Sequence, residues 1–276
     1  MAFGPIFGVS PYRAISSLNS TNSLLERSLN RLSSGYRVYS SRDDPAGMAV
    51  AMNFSTQSRS GSQAIRNINT GISMVQVAEG AMNEVGNILD RMRELAVQSS
   101  SGTLSSSQRT SIDDEFEELS EEIDRISAAT EFNDIQLTDG SVTSIDVQVG
   151  TGSGANQRIS VDLDDLSATT LGVDIAAVDL TTASAASAAI TDIDSAIDSV
   201  SGYRASMGAS QNRLDSAGSY MSSYVASMEI ARSTIMDADI AHETAEIARL
   251  KILQAASVAA LVQAGKINES LLGLLA

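Results

Sequence analysis

The side chains that could carry acid–base, nucleophilic or metal chemistry are few in this sequence. His242 is the only histidine and there are no cysteines, which excludes metal sites built from several histidines or from thiolates. A Ser–His–Asp triad needs only one histidine, but no Gly-x-Ser-x-Gly turn accompanies it. We therefore interpret His242 as a structural or exposed residue, and we predict no catalytic residue, no metal ligand and no cofactor.

Two further patterns are close to ligand-binding motifs but lack their spacing. Asp162, Asp164 and Asp165 could hold a cation weakly, yet the full spacing of a calcium loop is absent. The segment Gly150–Gly154 is not followed by the Gly-Lys-Ser or Gly-Lys-Thr of a phosphate-binding loop. We interpret the aspartates as a solvated strand end and the glycines as a hairpin loop.

The net charge of -16 is concentrated in the middle of the chain. Residues 111–200 hold 20 acidic and 2 basic residues, whereas residues 1–110 hold 10 basic and 7 acidic residues. An acidic chain without a basic patch binds nucleic acid poorly, so we expect no nucleic-acid partner. No run of about 20 apolar residues occurs, so we also expect no membrane insertion.

The elements of this chain are predicted to be long helices. Aromatic residues make up 4% of the sequence and there are only 3 prolines, which favours thin, closely packed helices over a large globular core. The longest pattern covers Gly71–Gln98, where apolar residues recur every three or four positions. Its apolar stripe consists of Ile72, Val75, Ala78, Met82, Val85, Leu89, Met92 and Ala96.

Both ends of the chain carry apolar seams with the spacing of a coiled coil. The N-terminal helix should begin at Ser10-Pro11 and end at Gly35, and Asn22 is either a register-fixing polar residue or a slightly wet interface position. The last helix should follow the cap signal at Asp237–Asp239. We expect the two ends to pack together only after assembly, because neither can bury its seam alone. The predicted assembly residues are Leu18, Leu25, Leu29, Leu32, Leu250, Leu253, Ile267, Leu271 and Leu274.

Between these ends the spacing of the apolar residues changes twice, from helical to alternating and back to helical. Ser105 and Gln108 can form a capping box for a helix that folds back on the long one, with Glu121 and Arg125 as a favourable pair. Alternating apolar residues then predict a β-hairpin at about residues 142–165. The helical period returns near Thr182 and continues through Met228.

Several segments carry motifs of a known family in the correct order. The segment Arg31–Gly35 with Arg37 has the form RLSSG-x-R, and Asp43–Gly47 has the form DDxAG with proline where alanine is common. Similar segments follow at residues 67–85, 91–98, 111–133, 208–214 and 248–261. The chain resembles the bacterial flagellins, which are the subunits of the flagellar filament.

The predicted fold class is mainly α, a long antiparallel helical bundle or coiled coil with one β-hairpin, with terminal helices that form a coiled coil in the assembled filament. We assign residues 1–44 and 236–276 to an inner, terminal-helix domain and residues 45–235 to a helical rod domain. Only about 45 residues separate the helical parts, so we expect no extra outer domain.

The resemblance implies a structural subunit, not an enzyme, that forms a helical homopolymer used for swimming. It also implies an extracellular bacterial filament and export of the chain without a cleaved signal peptide. The implied partners are further copies of the chain, an export chaperone, the filament cap and the hook-filament junction proteins. A vertebrate Toll-like receptor for flagellin is implied as well, with Arg91, Leu95 and Glu115 as the matching residues.

Two other classes of protein remain open at this stage. A hook-filament junction protein of the same superfamily would usually agree less well at residues 91–98 and at the C-terminus. A non-flagellar helical adaptor would form stable monomers or dimers and would not need apolar chain ends.

Overall fold

The computed structural model describes residues 9–176 and 178–275; at residues 9–11 and 267–275 it describes the helical backbone and not the side chains. The helices are α1 (Val9–Ser34), α2 (Pro45–Ser99), α3 (Ser106–Ala129), α4 (Ala168–Leu171), α5 (Ala183–Met236) and α6 (Ile240–Leu275). The strands are β1 (Glu131–Phe132), β2 (Ile135–Gln136), β3 (Ser144–Gln148) and β4 (Arg158–Asp162). The mainly helical class with a hairpin is confirmed.

The ends of the long helices follow the local signals in the sequence. Gly35 ends α1 in the left-handed conformation, with φ +76°, which glycine adopts without strain. The Asp44 carboxylate accepts a hydrogen bond from the Gly47 N–H at 2.9 Å, so it caps α2 immediately before Pro45. Asp239 caps α6 in the same way, through the N–H groups of Ala241 and His242.

The chain divides into two compact units. The terminal unit comprises Met1–Gln57 and Ala226–Ala276, and the central unit comprises Ser58–Val225. These bounds lie inside α2 and α5, and the predicted domain boundaries near residues 45 and 235 lie at the ends of the same helices. The assignment of those two domains stays a prediction.

In the central unit, α2 runs antiparallel to both α3 and α5. Gly61 of α2 lies beside Val225 of α5, and Arg93 near the other end of α2 contacts Asp194 at 2.6 Å. The α2 stripe is buried as predicted, since Met82, Val85, Leu89 and Met92 expose none of their surface. Phe116 and Ile123 of α3 and Ile193, Met207 and Leu214 of α5 complete the same core.

The turn between α2 and α3 is closed by a capping box and by an arginine. The predicted box between Ser105 and Gln108 is present, with both reciprocal hydrogen bonds. The Arg109 guanidinium donates to the carbonyl oxygens of Ser99, Ser101 and Leu104, at 2.7 to 3.0 Å. These bonds satisfy the Ser99 carbonyl at the end of α2 and two carbonyls of the turn that follows it.

Two details of this region differ from the prediction. Arg125 pairs with Glu122 at 2.5 Å, three residues away, and not with Glu121. A second, two-residue hairpin joins β1 to β2 through Asn133 and Asp134, whose φ values of 53° and 62° are those of a primed turn. Asparagine and aspartate tolerate this conformation better than most residues. The Asn133-Asp134 pair is therefore a local signal for a tight turn, which apolar periodicity alone does not show.

The predicted longer hairpin is confirmed. β3 and β4 pair antiparallel with Val147 opposite Ile159, and the loop of residues 149–157 connects them. Val147 and Val161 are buried against the core, while their polar neighbours along each strand face outward. Val147 also packs against Gly71 of α2, which fixes the hairpin on the helix surface.

The connector between β4 and α5 lies along α3 and is held by buried polar side chains. The Ser99 hydroxyl donates to the Leu180 carbonyl at 2.6 Å, and the Ser120 hydroxyl donates to the Val173 carbonyl at 3.1 Å. The Asp113 carboxylate accepts from the Leu180 N–H at 2.9 Å, and Asp124 accepts from an N–H at the start of α4. The connector contributes its own apolar residues, Leu166, Leu171, Val173, Val178 and Leu180, to the core.

Candidate functional site

The site to which the sequence assigns assembly lies in the terminal unit, where α1 packs against α6. Arg31 contacts Glu243 at 3.3 Å, and Gln254 donates to the Asn22 side-chain oxygen at 2.8 Å, so the two helices are antiparallel. The structure pairs them within one chain, which corrects the expectation that only assembly brings them together. An antiparallel partner with matching apolar residues is available in the same chain, so a second copy is not needed for the pairing itself.

Asn22 has a specific partner in this pair. The heptad pattern alone is compatible with two roles for Asn22, a register-fixing polar residue or a slightly wet interface position. Its side-chain oxygen accepts from the Gln254 amide within the α1–α6 pair. A shift of one helix against the other would break this bond, so the structure supports the register-fixing interpretation.

The predicted assembly residues whose side chains are described fall into three groups by exposure. Leu250 is buried in the pair, with 1% of its surface exposed. Leu29 and Leu253 remain 43% and 41% exposed. The residues that are partly buried between these extremes are Leu18, Leu25 and Leu32. The side chains of Ile267, Leu271 and Leu274 lie outside the described ones.

Pairing leaves much of the apolar surface of α6 and part of that of α1 uncovered. We define the exposed aliphatic set as Ile15 and Leu29 of α1 and Ile252, Leu253, Val258 and Val262 of α6, which are 41% to 70% exposed. At 100° per residue, the four α6 members lie on several sides of that helix. One antiparallel partner therefore cannot cover all four of them.

The connector Gly35–Asp44 joins α1 to α2 and also binds the end of α5. The Arg37 guanidinium donates to the carbonyl oxygens of Thr234 and Ile235, at 3.2 and 2.8 Å. Its backbone N–H donates to the Met236 carbonyl at 2.6 Å, and Ala238 donates back to Gly35. A cation on the last carbonyls of a helix also complements the helix dipole. The arginine of the RLSSG-x-R motif thus caps α5, a role that the sequence spacing did not reveal.

The structure brings two of the three predicted receptor residues together. The Arg91 guanidinium contacts Glu115 at 2.7 Å and Glu94 at 3.0 Å. The hydrogen bonds that Arg91 donates to Glu115, and then to Glu94, raise the pKa of Arg91. Leu95 does not join them at the surface, because it is buried in the core with 1% of its surface exposed. The expectation of a surface formed by all three residues is therefore wrong for Leu95.

His242 and the aspartates at residues 162, 164 and 165 do not come together as a reactive site. His242 is exposed in the first turn of α6. Burial, and then the neighbouring Asp162, raise the pKa of Asp164, while Asp165 holds Ser167 and Thr170 in the turn that begins α4. In the described part of the chain, no three acidic or imidazole side chains are grouped so that they could hold a metal ion. The same residues include no helix long and apolar enough to cross a membrane.

Two family models match this chain in the order that its motifs indicate. The bacterial flagellin N-terminal helical region matches residues 10–143, and the bacterial flagellin C-terminal helical region matches residues 190–275. A flagellin of Halalkalibacterium halodurans is 40% identical over 250 residues, which cover 91% of each chain. The chain belongs to the bacterial flagellins. It is a subunit of the extracellular flagellar filament, and this assignment is favoured over a junction protein or an adaptor.

Other relatives agree with this family. Flagellin of Bacillus subtilis is 35% identical over 297 residues, covering 97% of this flagellin and 98% of its own length. A flagellar filament 30.7 kDa core protein of Treponema maltophilum is 33% identical over 269 residues, covering 94% of each. The crystal structure of Bacillus cereus flagellin has a TM-score of 0.50 at 30% identity and covers 56% of this chain and 88% of its own. Flagellins are structural proteins, which fits the absence of a predicted active site.

Proposed function

We propose that this flagellin polymerises by burying the exposed aliphatic set against α1 and α6 of neighbouring copies. The single observation that carries this proposal is that α6 stays apolar on several sides after it has paired with α1. Fully burying one aliphatic side chain is worth roughly 1.5–3 kcal/mol, so even partial burial of the set favours association strongly. A helix lying on a membrane surface would instead be apolar on one side and charged on the other.

The test uses seeded polymerisation followed by electron microscopy. Replacement of Ile252, Val258 and Val262 by serine should leave the helical circular dichroism intact, because all three are exposed in the single chain. Filament growth from wild-type seeds should be lost. The matched control replaces two exposed aliphatic residues of the central unit, Ile135 and Ile175, by serine and should still elongate. Normal filament growth by the triple variant would exclude this surface as the assembly element.

We also infer a finer biological role from what membership of the flagellin family implies. The filament serves swimming motility, and the chain reaches it through the flagellar export channel without cleavage of a signal peptide. An export chaperone would cover the apolar chain ends before assembly. The filament cap and the hook-filament junction proteins would contact the same ends at the two limits of the filament. Binding of an isolated chaperone to full-length monomer, and loss of that binding in the triple serine variant, would test the first of these partners.

We also propose that a vertebrate Toll-like receptor for flagellin contacts the Arg91–Glu115 pair. The supporting observation is that both side chains are about half exposed and joined across α2 and α3. Leu95 would contribute only by holding α2 in place, since it is buried. Reporter cells that respond equally to soluble wild-type monomer and to Arg91→Ala would refute this proposal.

A further inference from the structure

A polar cleft in the terminal unit is lined by three arginines, two of which lack a carboxylate partner among the described residues. The cleft has a volume of about 470 Å³ and lies between α1 and the connector to α2. Arg27 and Arg31 line it from α1, and Arg42 lines it from the connector. Among the described residues, no carboxylate lies within ion-pair distance of Arg27 or Arg42, while Arg31 contacts Glu243. We call this feature the arginine cleft.

The acidic residues that line the cleft form no ion pair with Arg27 or Arg42. Asp43 accepts hydrogen bonds from the N–H and the hydroxyl of Ser40, both at 3.1 Å, and so holds its own turn. Glu26 is exposed on α1 and pairs with none of the described basic side chains. Because Arg31 is paired with Glu243, Arg27 and Arg42 are the two lining arginines that have no carboxylate partner among the described residues, in a chain of net charge -16. An open cleft of this kind suits a carboxylate-bearing ligand.

The chain presents such carboxylates on the outer face of α3. Asp114, Glu117, Glu118 and Glu121 are exposed, and their spacing of three and four residues places them on one side of the helix. Within the described residues none of the four has a basic partner, since Arg91 pairs with Glu115 and Arg125 with Glu122. Like charges at this spacing destabilise a helix, so the face is suited to an opposite charge supplied from outside.

We propose that the arginine cleft of one subunit binds the acidic face of α3 in a second copy of the chain. This inference rests on the proposed polymerisation, which would bring the copies to a very high local concentration. Residues 111–200 carry 20 acidic and 2 basic residues, and packed copies of such a segment repel one another. Arginines from another subunit would relieve that repulsion and would also fix how neighbouring copies are aligned.

A charge-exchange experiment on the full-length protein tests this contact. Elongation from wild-type seeds is followed by light scattering and electron microscopy. Arg27→Glu with Arg42→Glu should slow elongation about tenfold or more, and Glu118→Arg with Glu121→Arg should do the same. Combining all four changes should restore most of the rate, because each repelling pair becomes an attractive one. Arg204→Glu with Arg213→Glu, two exposed arginines of α5 without described ion pairs, is the control of equal charge change and should elongate nearly normally.

The outcomes separate this contact from polymerisation in general. If wild-type protein fails to elongate, the proposed function itself is wrong. If it elongates and the cleft variant matches the control, or the four-fold variant stays as slow as the cleft variant, the contact with α3 is excluded. Should the cleft variant lose helical circular dichroism, Arg27→Gln with Arg42→Gln takes its place; its elongation must then be slower than wild type and less sensitive to added salt.

Discussion

In this flagellin, single side chains that hydrogen-bond to the backbone stabilise several turns. Three turns have the form Asp-x-Ser or Asp-x-Thr, at Asp139, Asp165 and Asp179, and in each the carboxylate accepts from the N–H two residues later. Such turns are favoured because a short carboxylate reaches its own backbone. The first turn lies before the connector that packs on α3, and the other two lie within it.

The Asp139 turn makes a prediction about pH. The hydroxyl and then the N–H of Ser141 lower the pKa of Asp139. A carboxyl whose folded pKa lies below its unfolded value of about 3.9 contributes stability above that value and loses it as the pH falls through the folded pKa. The Asp139 carboxyl resonance should therefore titrate below about 3.9 in the folded protein, and Ser141→Ala should move its midpoint upward. A midpoint unchanged by Ser141→Ala would show that these bonds do not hold the turn in solution.

The sequence predicted some of these residues and not others, for a physical reason. Asp239 stands at the start of an apolar run, so its capping role is a local signal and was predicted. Ser99 and Ser120 are also helical, but they are buried and donate to the connector, 81 and 53 residues away in the chain. A helical serine has the same local pattern whether it is exposed or tethers a distant segment. The connector was consequently missed.

At the scale of elements, the long helices were predictable because their periodicity extends over many turns, whereas their packing distances were not. Gly61 and Gly80 both lie inside α2 and look equivalent in the sequence. A Cβ at Gly61 would lie 2.6 Å from Val225 and 3.2 Å from the Met221 sulfur, whereas a Cβ at Gly80 would meet nothing within 4 Å. The first glycine therefore allows α2 and α5 to approach closely, and the second does not serve this packing.

These two glycines should respond oppositely to the same substitution. Gly80→Ala should raise the free energy of unfolding by up to about 1 kcal/mol, because alanine is the better helix former. Gly61→Ala should lower it by about 1–3 kcal/mol, because the stiff Val225 side chain cannot turn away and the helices must separate. Urea unfolding followed by circular dichroism measures both. If Gly61→Ala stabilises the protein as much as Gly80→Ala does, the close α2–α5 contact is wrong.

At the scale of the whole molecule, the chain consists of a central unit that buries its own apolar residues and a terminal unit that leaves many of its own exposed. The sequence predicted this contrast from the apolar chain ends and the acidic middle. It predicted that the two chain ends pair with each other but only after assembly, because periodicity shows which face is apolar and not at which stage a partner covers it. Because α1 and α6 pair within one chain, assembly has to cover only the apolar surface that this pair leaves exposed.

The most direct test of this account is seeded assembly of a chain that ends at Ser270. The truncation removes Leu271, Leu272, Leu274 and Leu275, each worth roughly 1.5–3 kcal/mol if fully buried in a neighbouring subunit. The central unit should fold without them, so the truncated protein should stay soluble and keep most of its helical circular dichroism. Electron microscopy should show no filaments growing from wild-type seeds, whereas full-length protein elongates them. Filaments formed as readily by the truncated chain would contradict the claim that the terminal helices drive assembly.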